Sequence, residues 1–236
     1  MRIRVKFRKY GAMKFIGHLD MMRYFQRAIR RAQIDIAYSE GFHPHPLMSF
    51  AAPLGVGITS DGEYFDISVH STDTSEVSLT RLNEAMAEGV EVTSYRRLSD
   101  SDKKAMSAVA AADYELTFRE NYEVPQIDYE AALVSFFEER DEILITKKTK
   151  KSEKTIDLKK LVYAFRIEQK EGRPSFYLKV CAGSEDNVKP ELVLREFLEF
   201  HGLSFSPVSV QVHRIDVYAN INGALKSLGE IGEAIE

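Results

Sequence analysis

The chain has 236 residues, 44% of them hydrophobic and 29% charged, which is the composition of an ordinary folded protein of one or two domains. No stretch approaches the roughly 18 uncharged apolar residues of a membrane span. The N-terminus lacks the apolar block of a secretory signal, and the single cysteine, Cys181, cannot form an internal disulfide, so we expect a cytoplasmic protein.

Charge is unevenly distributed along the chain. The net charge is −4, yet residues 1–50 carry ten Lys and Arg against three Asp and Glu, whereas the remainder carries 22 against 33. The first 50 residues therefore have a net charge of +7 and the rest −11. Such a block indicates either a binding surface for an anionic partner or an ordinary mixed surface.

The first half predicts the element order β-α-β-β-α-β. Ile3, Val5 and Phe7 alternate with basic residues, which predicts a strand with one buried and one basic, solvated face. Apolar residues at three- and four-residue spacing predict a helix over 18–33. The remaining predicted elements are strands near 34–38, 64–69 and 90–95 and a helix over 74–88 with Asp73 as its N-cap; residues 47–52 are a further candidate strand outside this order.

The second half repeats this pattern. Its predicted elements are a strand at 114–118, a helix at 128–139, strands at 142–146 and 176–181, a helix from Pro190 to before Gly202, and a strand at 208–217. The repeat predicts an α+β fold of two tandem ferredoxin-like modules. We place the modules at 1–98 and 113–219, a linker at 99–112, and an acidic tail, a short helix or disordered, at 220–236. The lysine-rich segment 147–161 is expected to be a solvated hairpin tip or loop, with a helical turn at 156–162.

The loop SEGFHPHPLMSF, residues 39–50, contains two histidines that raise the question of a metal site. His43 and His45 each precede a proline, which favours extended backbone and side chains that do not converge. Adding His18 and Glu40 produces no established ligand spacing, so we expect no metal and no cofactor. No nucleophile elbow, phosphate-binding loop or zinc-protease motif occurs, and we assign no catalytic residue.

Nucleic-acid binding agrees better with this loop and the helix before it. Prolines stiffen the loop, and aromatic rings beside cations allow bases to stack while phosphates pair. The other interpretation places Phe42 in the core and treats the helical arginines as a solvated stripe. The residues predicted to bind RNA or an RNA-associated substrate are Lys14, His18, Arg23, Arg27, Arg30, Arg31, Gly41, Phe42, His43, Pro44, His45 and Pro46.

Several ordered motifs support a resemblance to a known family. They are F-x-G-H-L-D (Phe15 to Asp20), R-x-x-x-R-A-x-R-R-A (Arg23 to Ala32), Y-S-x-G-F-x-P-x-P (Tyr38 to Pro46), S-F (Ser49, Phe50), P-L-x-x-G (Pro53 to Gly57), E-Y-x-D-I (Glu63 to Ile67) and K-x-I-D-L (Lys154 to Leu158). With these motifs the sequence resembles the radical SAM-linked protein family, a domain of unknown function. That family occurs alone or joined to the C-terminal end of a cobalamin-binding radical SAM protein, and it allows Asn at position 43 and Arg at position 45.

The resemblance implies a cobalamin-binding radical SAM protein as partner. A radical SAM enzyme holds its cluster on three cysteines, and this chain has one, so it is not the radical enzyme itself. We therefore expect a non-catalytic recognition module that binds RNA or an RNA-associated substrate, acts with a separate radical SAM protein and does not contact a membrane. Two alternatives stay open: an RNA-processing enzyme that uses His18 or His43 as acid or base, and a protein–protein interaction domain.

Overall fold

The computed structural model describes residues 1–148, 153–183 and 186–236. The chain divides into two compact units: the first contains Met1–Ala110 and Arg214–Glu236, and the second contains Ala111–His213. The fold is mixed α+β with a large, mostly antiparallel sheet, which confirms the predicted fold class at this level. The finer prediction of tandem ferredoxin-like modules stays a prediction.

The first unit contains two long helices and a set of paired strands. Its elements are β1 (Arg2–Lys9), α1 (His18–Arg31), β2 (Met48–Phe50), β3 (Thr59–Ser68), α2 (Ser75–Glu84), β4 (Val90–Leu98) and α3 (Ala105–Ala108). Strand β1 lies between β4 and β3 and is antiparallel to both, and β2 pairs with β3. The predicted strand near 34–38 instead forms isolated bridges, Ile36 to Val69 and Tyr38 to Pro46.

The second unit contains all but the first two residues of β5 (Val109–Phe118), followed by α4 (Tyr129–Leu133), β6 (Leu144–Lys148), β7 (Glu153–Asp157), α5 (Leu158–Leu161), β8 (Val162–Lys170), β9 (Arg173–Cys181) and α6 (Pro190–Phe200). Strand β9 pairs antiparallel with both β5 and β8, and β6 pairs with β7 as a separate hairpin. The predicted helix at 128–139 begins as α4 and continues as a π-helical turn, Val134–Glu138.

Two segments differ from the predicted boundaries. Residues 99–112, predicted as a linker, contain α3 and the start of β5. The predicted tail contains the end of β10 (Val210–Ile221), β11 (Ala224–Ser227) and a 3-10 turn, because this segment pairs with itself as a hairpin. In the lysine-rich segment, β6, β7 and α5 occupy the described part, while 149–152 lie outside the described residues.

Helix α1 packs an apolar face against the sheet of the first unit. Its residues Met21, Phe25 and Ile29 are at most 3% exposed, as the helical spacing requires. The ring of Phe25 lies 4.6 Å, centroid to centroid, from both Phe7 of β1 and Phe65 of β3. Helix and strands therefore share one aromatic core.

Helix α2 begins one residue later than predicted. The hydroxyl of Thr74 accepts a hydrogen bond from the Val77 amide and caps the helix. The predicted cap, Asp73, pairs with Arg81 instead. A threonine hydroxyl satisfies a free amide of the first turn as an aspartate would, so the helix keeps its cap.

The cations of β1 are not all solvated as predicted. Arg4 and Lys9 are only 1% and 2% exposed. Arg4 donates to both oxygens of Asp66 at 2.9 and 3.1 Å, and the Lys9 ammonium donates to the Ile16 carbonyl at 2.6 Å. These partners compensate for the removal of water, so Arg4 and Lys9 hold the unit together, whereas the Arg8 side chain stays half-exposed.

Removing Asp66 should therefore destabilise the protein strongly. We expect Asp66→Ala to lower the free energy of unfolding by about 3–5 kcal/mol, because the Arg4 charge is left buried without its carboxylate. The matched control is Asp61→Ala, which breaks the half-exposed pair with Arg8 and should cost less than about 1 kcal/mol. Urea unfolding measures both; similar destabilisation in the two variants would contradict this account of Arg4.

Candidate functional site

The loop after α1 is closed by a short clamp between Ser39 and His45. The Ser39 amide donates to the His45 carbonyl at 2.9 Å, the His45 amide donates to Ser39 Oγ at 3.1 Å, and this Oγ lies 2.8 Å from His45 Nδ1. Gly41, with φ of +110°, allows the backbone to reverse between them. Residues 40–44 thus form the tip of a fixed loop.

The clamp separates the loop residues into two groups. Gly41, Phe42, His43 and Pro44 are exposed at the tip, and the Phe42 side chain is fully exposed at 101%. His45 and Pro46 instead line a cavity at the base of the loop. The structure therefore answers the question about Phe42: its ring belongs to the surface and not to the core.

The four predicted arginines of α1 lie on the outer part of the helix, but their side chains differ in their partners. Arg23 pairs with Asp20 at 3.3 Å, and Arg31 donates to the Ala85 carbonyl at 2.7 Å. The side chains of Arg27 and Arg30 make no hydrogen bond or ion pair with any residue that the structure describes. These two, three residues apart, lie on the same side of the helix.

Lys14 and His18 lie at the other end of α1 from Arg30. A separation of twelve residues along a helix corresponds to about 18 Å, so the predicted site is an extended surface and not one pocket. The Lys14 ammonium lies 5.3 Å from the Phe15 ring centroid. The His18 ring packs edge-on against Phe50, with ring centroids 5.3 Å apart.

A buried charge cluster beside His18 was not predicted from the sequence. The Arg214 guanidinium donates to the two Glu63 oxygens at 3.0 and 3.2 Å, and both side chains are less than 10% exposed. Burial raises the pKa of Glu63, and Arg214 opposes that rise. Burial lowers the pKa of Lys9, and burial together with the Lys9 charge lowers the pKa of His18. The cluster favours a neutral imidazole at His18.

The cavity at the base of the loop is the second feature that sequence reasoning missed. Its volume is about 220 Å³, and its walls carry both charged and apolar side chains. The lining residues are Arg2, His45, Pro46, Leu47, Met48, Ser49, Asp66, Ile67, Ser68 and Lys104. The motifs S-F and E-Y-x-D-I, which contain Ser49 and Asp66, were the sequence signal that could have found it.

Among the residues that the structure describes, there is neither a cluster of metal-ligating side chains nor a helix that could cross a membrane. Within residues 1–148, 153–183 and 186–236, His, Cys, Asp and Glu nowhere form a group of three or more suited to holding a metal ion. Over the same part of the chain, no helix combines the length and apolar character needed to cross a membrane.

Comparison with known proteins identifies a family. The model of the family described as "Uncharacterized protein conserved in bacteria (DUF2344)" matches residues 2–190. That description gives no link to radical SAM proteins, so the resemblance to the radical SAM-linked family stays a prediction. No curated protein matches the chain.

Two solved structures have low similarity to the chain. A chain of the crystal structure of a Cbf5-Nop10-Gar1 complex has 11% identity and a TM-score of 0.48; the match covers 91% of this chain and 48% of that one. The crystal structure of an unknown protein from Galdieria sulphuraria has 11% identity and a TM-score of 0.25, with 96% and 98% covered. The chain thus spans about half the length of the first protein, and both TM-scores are too low to support an argument.

The lowered pKa of His18 predicts a specific pH dependence of stability. Because the folded protein protonates His18 less readily than the unfolded chain does, the free energy of unfolding should fall as the pH drops below about 6.5. His18→Gln should remove that part of the fall, as measured by urea unfolding between about pH 8 and pH 5. The control is His43→Gln, at an exposed position, which should show the same fall in the free energy of unfolding at low pH as the original protein. Equal pH dependence in the original protein and His18→Gln would contradict the assignment.

Proposed function

We propose that this chain, which belongs to the DUF2344 family of uncharacterized bacterial proteins, is a non-catalytic module that binds RNA or an RNA-associated substrate. The observation that carries the proposal is the pair Arg27 and Arg30 on one side of α1, whose side chains have no partner among the described residues. Guanidinium groups in this state are available for phosphate oxygens. On the same helix, Arg23 and Arg31 have partners that phosphate could displace.

The exposed ring of Phe42 supports the same proposal. A fully exposed phenylalanine at a loop tip has a flat apolar face in water, and unstacked bases bind such faces in single-stranded nucleic acid. The Ser39–His45 clamp and the two prolines restrict the loop before any ligand binds. Binding therefore orders fewer residues, which favours affinity.

A partner protein and the fold of the two halves of the chain are part of the same proposal. We propose that the module presents its bound ligand to a separate radical SAM protein, on the basis of the motif resemblance alone. We also propose that both halves are ferredoxin-like. In support, α1 and α2 connect strands that lie in the order β4, β1, β3, and the second unit has the order β5, β9, β8.

A protein partner is the second candidate, favoured by an apolar patch at the N-terminal end of α1. Phe15, Leu19 and Val56 are each more than 60% exposed. The Gly57 amide donates to the Lys14 carbonyl at 2.8 Å, which holds the segment of Val56 beside this end of the helix. Apolar side chains grouped in this way are typical of protein contacts.

Removing the two arginines should weaken RNA binding in a salt-dependent manner. We expect Arg27→Ala/Arg30→Ala to reduce affinity and to lower the slope of log affinity against log salt by about 0.7 for each phosphate that is no longer neutralised. The measurement is a titration of labelled single-stranded RNA at several salt concentrations.

The control for this experiment removes the same charge elsewhere. Lys189→Ala/Lys226→Ala changes two exposed lysines and should leave the slope unchanged. Salt-independent binding, or binding to no RNA, would refute the proposal and favour the protein partner. RNA cleavage that disappears in His18→Gln or His43→Gln would favour the enzyme alternative instead.

The variant Phe42→Ala should weaken RNA binding while leaving the stability of the fold unchanged. Because the ring is fully exposed, its removal should change the free energy of unfolding by less than about 0.5 kcal/mol. Removing one stacked base should weaken RNA binding by about 1–3 kcal/mol. Val208→Ala, which truncates another exposed apolar side chain, is the control. Unchanged RNA affinity in Phe42→Ala would exclude stacking on this ring.

A further inference from the structure

The cavity at the base of the loop is a second binding site with its own charge balance. Asp66 is its acidic residue, and the carboxylate is already occupied by Arg4 and by the Ala105 amide, which donates at 2.7 Å. In addition, Arg4 Nη1 is buried and has no hydrogen-bond partner among the described residues. The negative charge of Asp66 is thus balanced from within the protein.

The remaining charges of the cavity are positive. Lys104 is exposed at its edge, and its ammonium makes no hydrogen bond or ion pair with a residue that the structure describes. Arg2 also lines the cavity and donates to the carbonyls of Ser99 and Asp102 at 2.6 and 2.8 Å, neutral acceptors that leave its charge uncompensated. Two cations beside a neutralised carboxylate favour an anionic ligand.

His45 adds an oriented donor to this site. Ser39 Oγ accepts a hydrogen bond from the His45 amide, so its own hydrogen can be donated to Nδ1. In that arrangement the neutral imidazole carries its hydrogen on Nε2 and can donate it to a ligand. Ser49 provides a hydroxyl on the same wall.

We propose that this cavity binds a phosphate monoester. A monoester carries more than one negative charge near neutral pH and three acceptor oxygens, which match Lys104, His45 and Ser49. The volume of about 220 Å³ is several times the ~30 Å³ of one water, so it accommodates the phosphate together with part of an organic group. Apolar surface suited to that group comes from Pro46, Leu47, Met48 and Ile67. The site lies apart from Arg27 and Arg30 in the sequence, and the inference stands whether or not those residues bind RNA.

The test uses the intact chain and defined probes. Isothermal titration and thermal unfolding are measured with adenosine 5′-monophosphate, inorganic phosphate and adenosine. We expect adenosine 5′-monophosphate to bind and to raise the unfolding midpoint in a concentration-dependent manner, inorganic phosphate to bind more weakly, and adenosine not to bind. If neither phosphate compound binds, the proposal is wrong.

Two adjacent lysines provide a matched pair of variants. Lys104→Gln should weaken binding of adenosine 5′-monophosphate about tenfold, the usual weight of one hydrogen bond between charged groups. Lys103→Gln removes the same charge one residue earlier, on an exposed side chain that does not line the cavity, and should bind as the original protein does. Equal affinity in the two variants would overturn the assignment.

RNAs with different 5′ ends distinguish the two sources of a phosphate monoester, an RNA terminus and a free organic phosphate. A short RNA with a 5′-phosphate and the same RNA with a 5′-hydroxyl are compared in Arg27→Ala/Arg30→Ala. A preference for the 5′-phosphate that disappears in Lys104→Gln supports the cavity as a site for RNA ends. Binding of adenosine 5′-monophosphate without that preference supports a free organic phosphate. Binding of neither contradicts the proposal even if the protein with intact arginines still binds RNA, so the two proposals can fail separately.

Discussion

A buried cation must be compensated by acceptors from the protein, and the first unit satisfies this requirement twice along β1. Arg4 and Lys9 lie in the interior of the unit, where Asp66 and the Ile16 carbonyl accept their hydrogen bonds. The Arg4 guanidinium also donates to the Lys103 carbonyl at 3.0 Å. One side chain of β1 therefore fixes β3 and the entry to α3, and those two elements provide Asp66 and Lys104 to the cavity.

The same constraint decides which basic residues are available to a partner. Of the ten cations in the first 50 residues, those of β1 are bound to the protein: Lys6 pairs with Asp216 at 3.5 Å, and Arg8 pairs with Asp61 at 3.2 Å and with Glu91 at 3.3 Å. The density of basic residues in the sequence thus exaggerates the positive surface. Of these ten cations, Arg27 and Arg30 of α1 have side chains that make no hydrogen bond or ion pair with a residue that the structure describes, and this is why they, rather than the whole N-terminal block, carry the proposed function.

Local patterns in the sequence predicted the helices and missed the charge cluster. The apolar spacing of α1, the capping signal before α2 and the Pro190 start of α6 are all encoded within a few neighbouring residues, and the structure agrees with them to within a few residues. Arg4 and Asp66 are 62 residues apart, and Glu63 and Arg214 are 151 apart, so no periodicity could indicate them. Strand β8 was missed because few of its side chains are buried, which leaves little apolar alternation to detect. The segment at 34–38 shows the opposite case: Ile34 and Ile36 are buried as they would be in a strand, yet the backbone forms isolated bridges instead of the predicted strand.

The Ser39–His45 clamp connects the two proposed sites through one short segment. On one side of the clamp, Phe42 at the loop tip is fully exposed to solvent. On the other side, His45 and Pro46 form part of the cavity wall. A flexible loop could not keep both positions, because ordering it on binding would cost free energy for each residue fixed. Here the hydrogen bonds between Ser39 and His45 and the restricted backbone before each proline fix the loop in advance. The repeated His-Pro pair therefore restricts the loop backbone, so that one histidine faces solvent at the tip while the other, two residues later, faces the cavity.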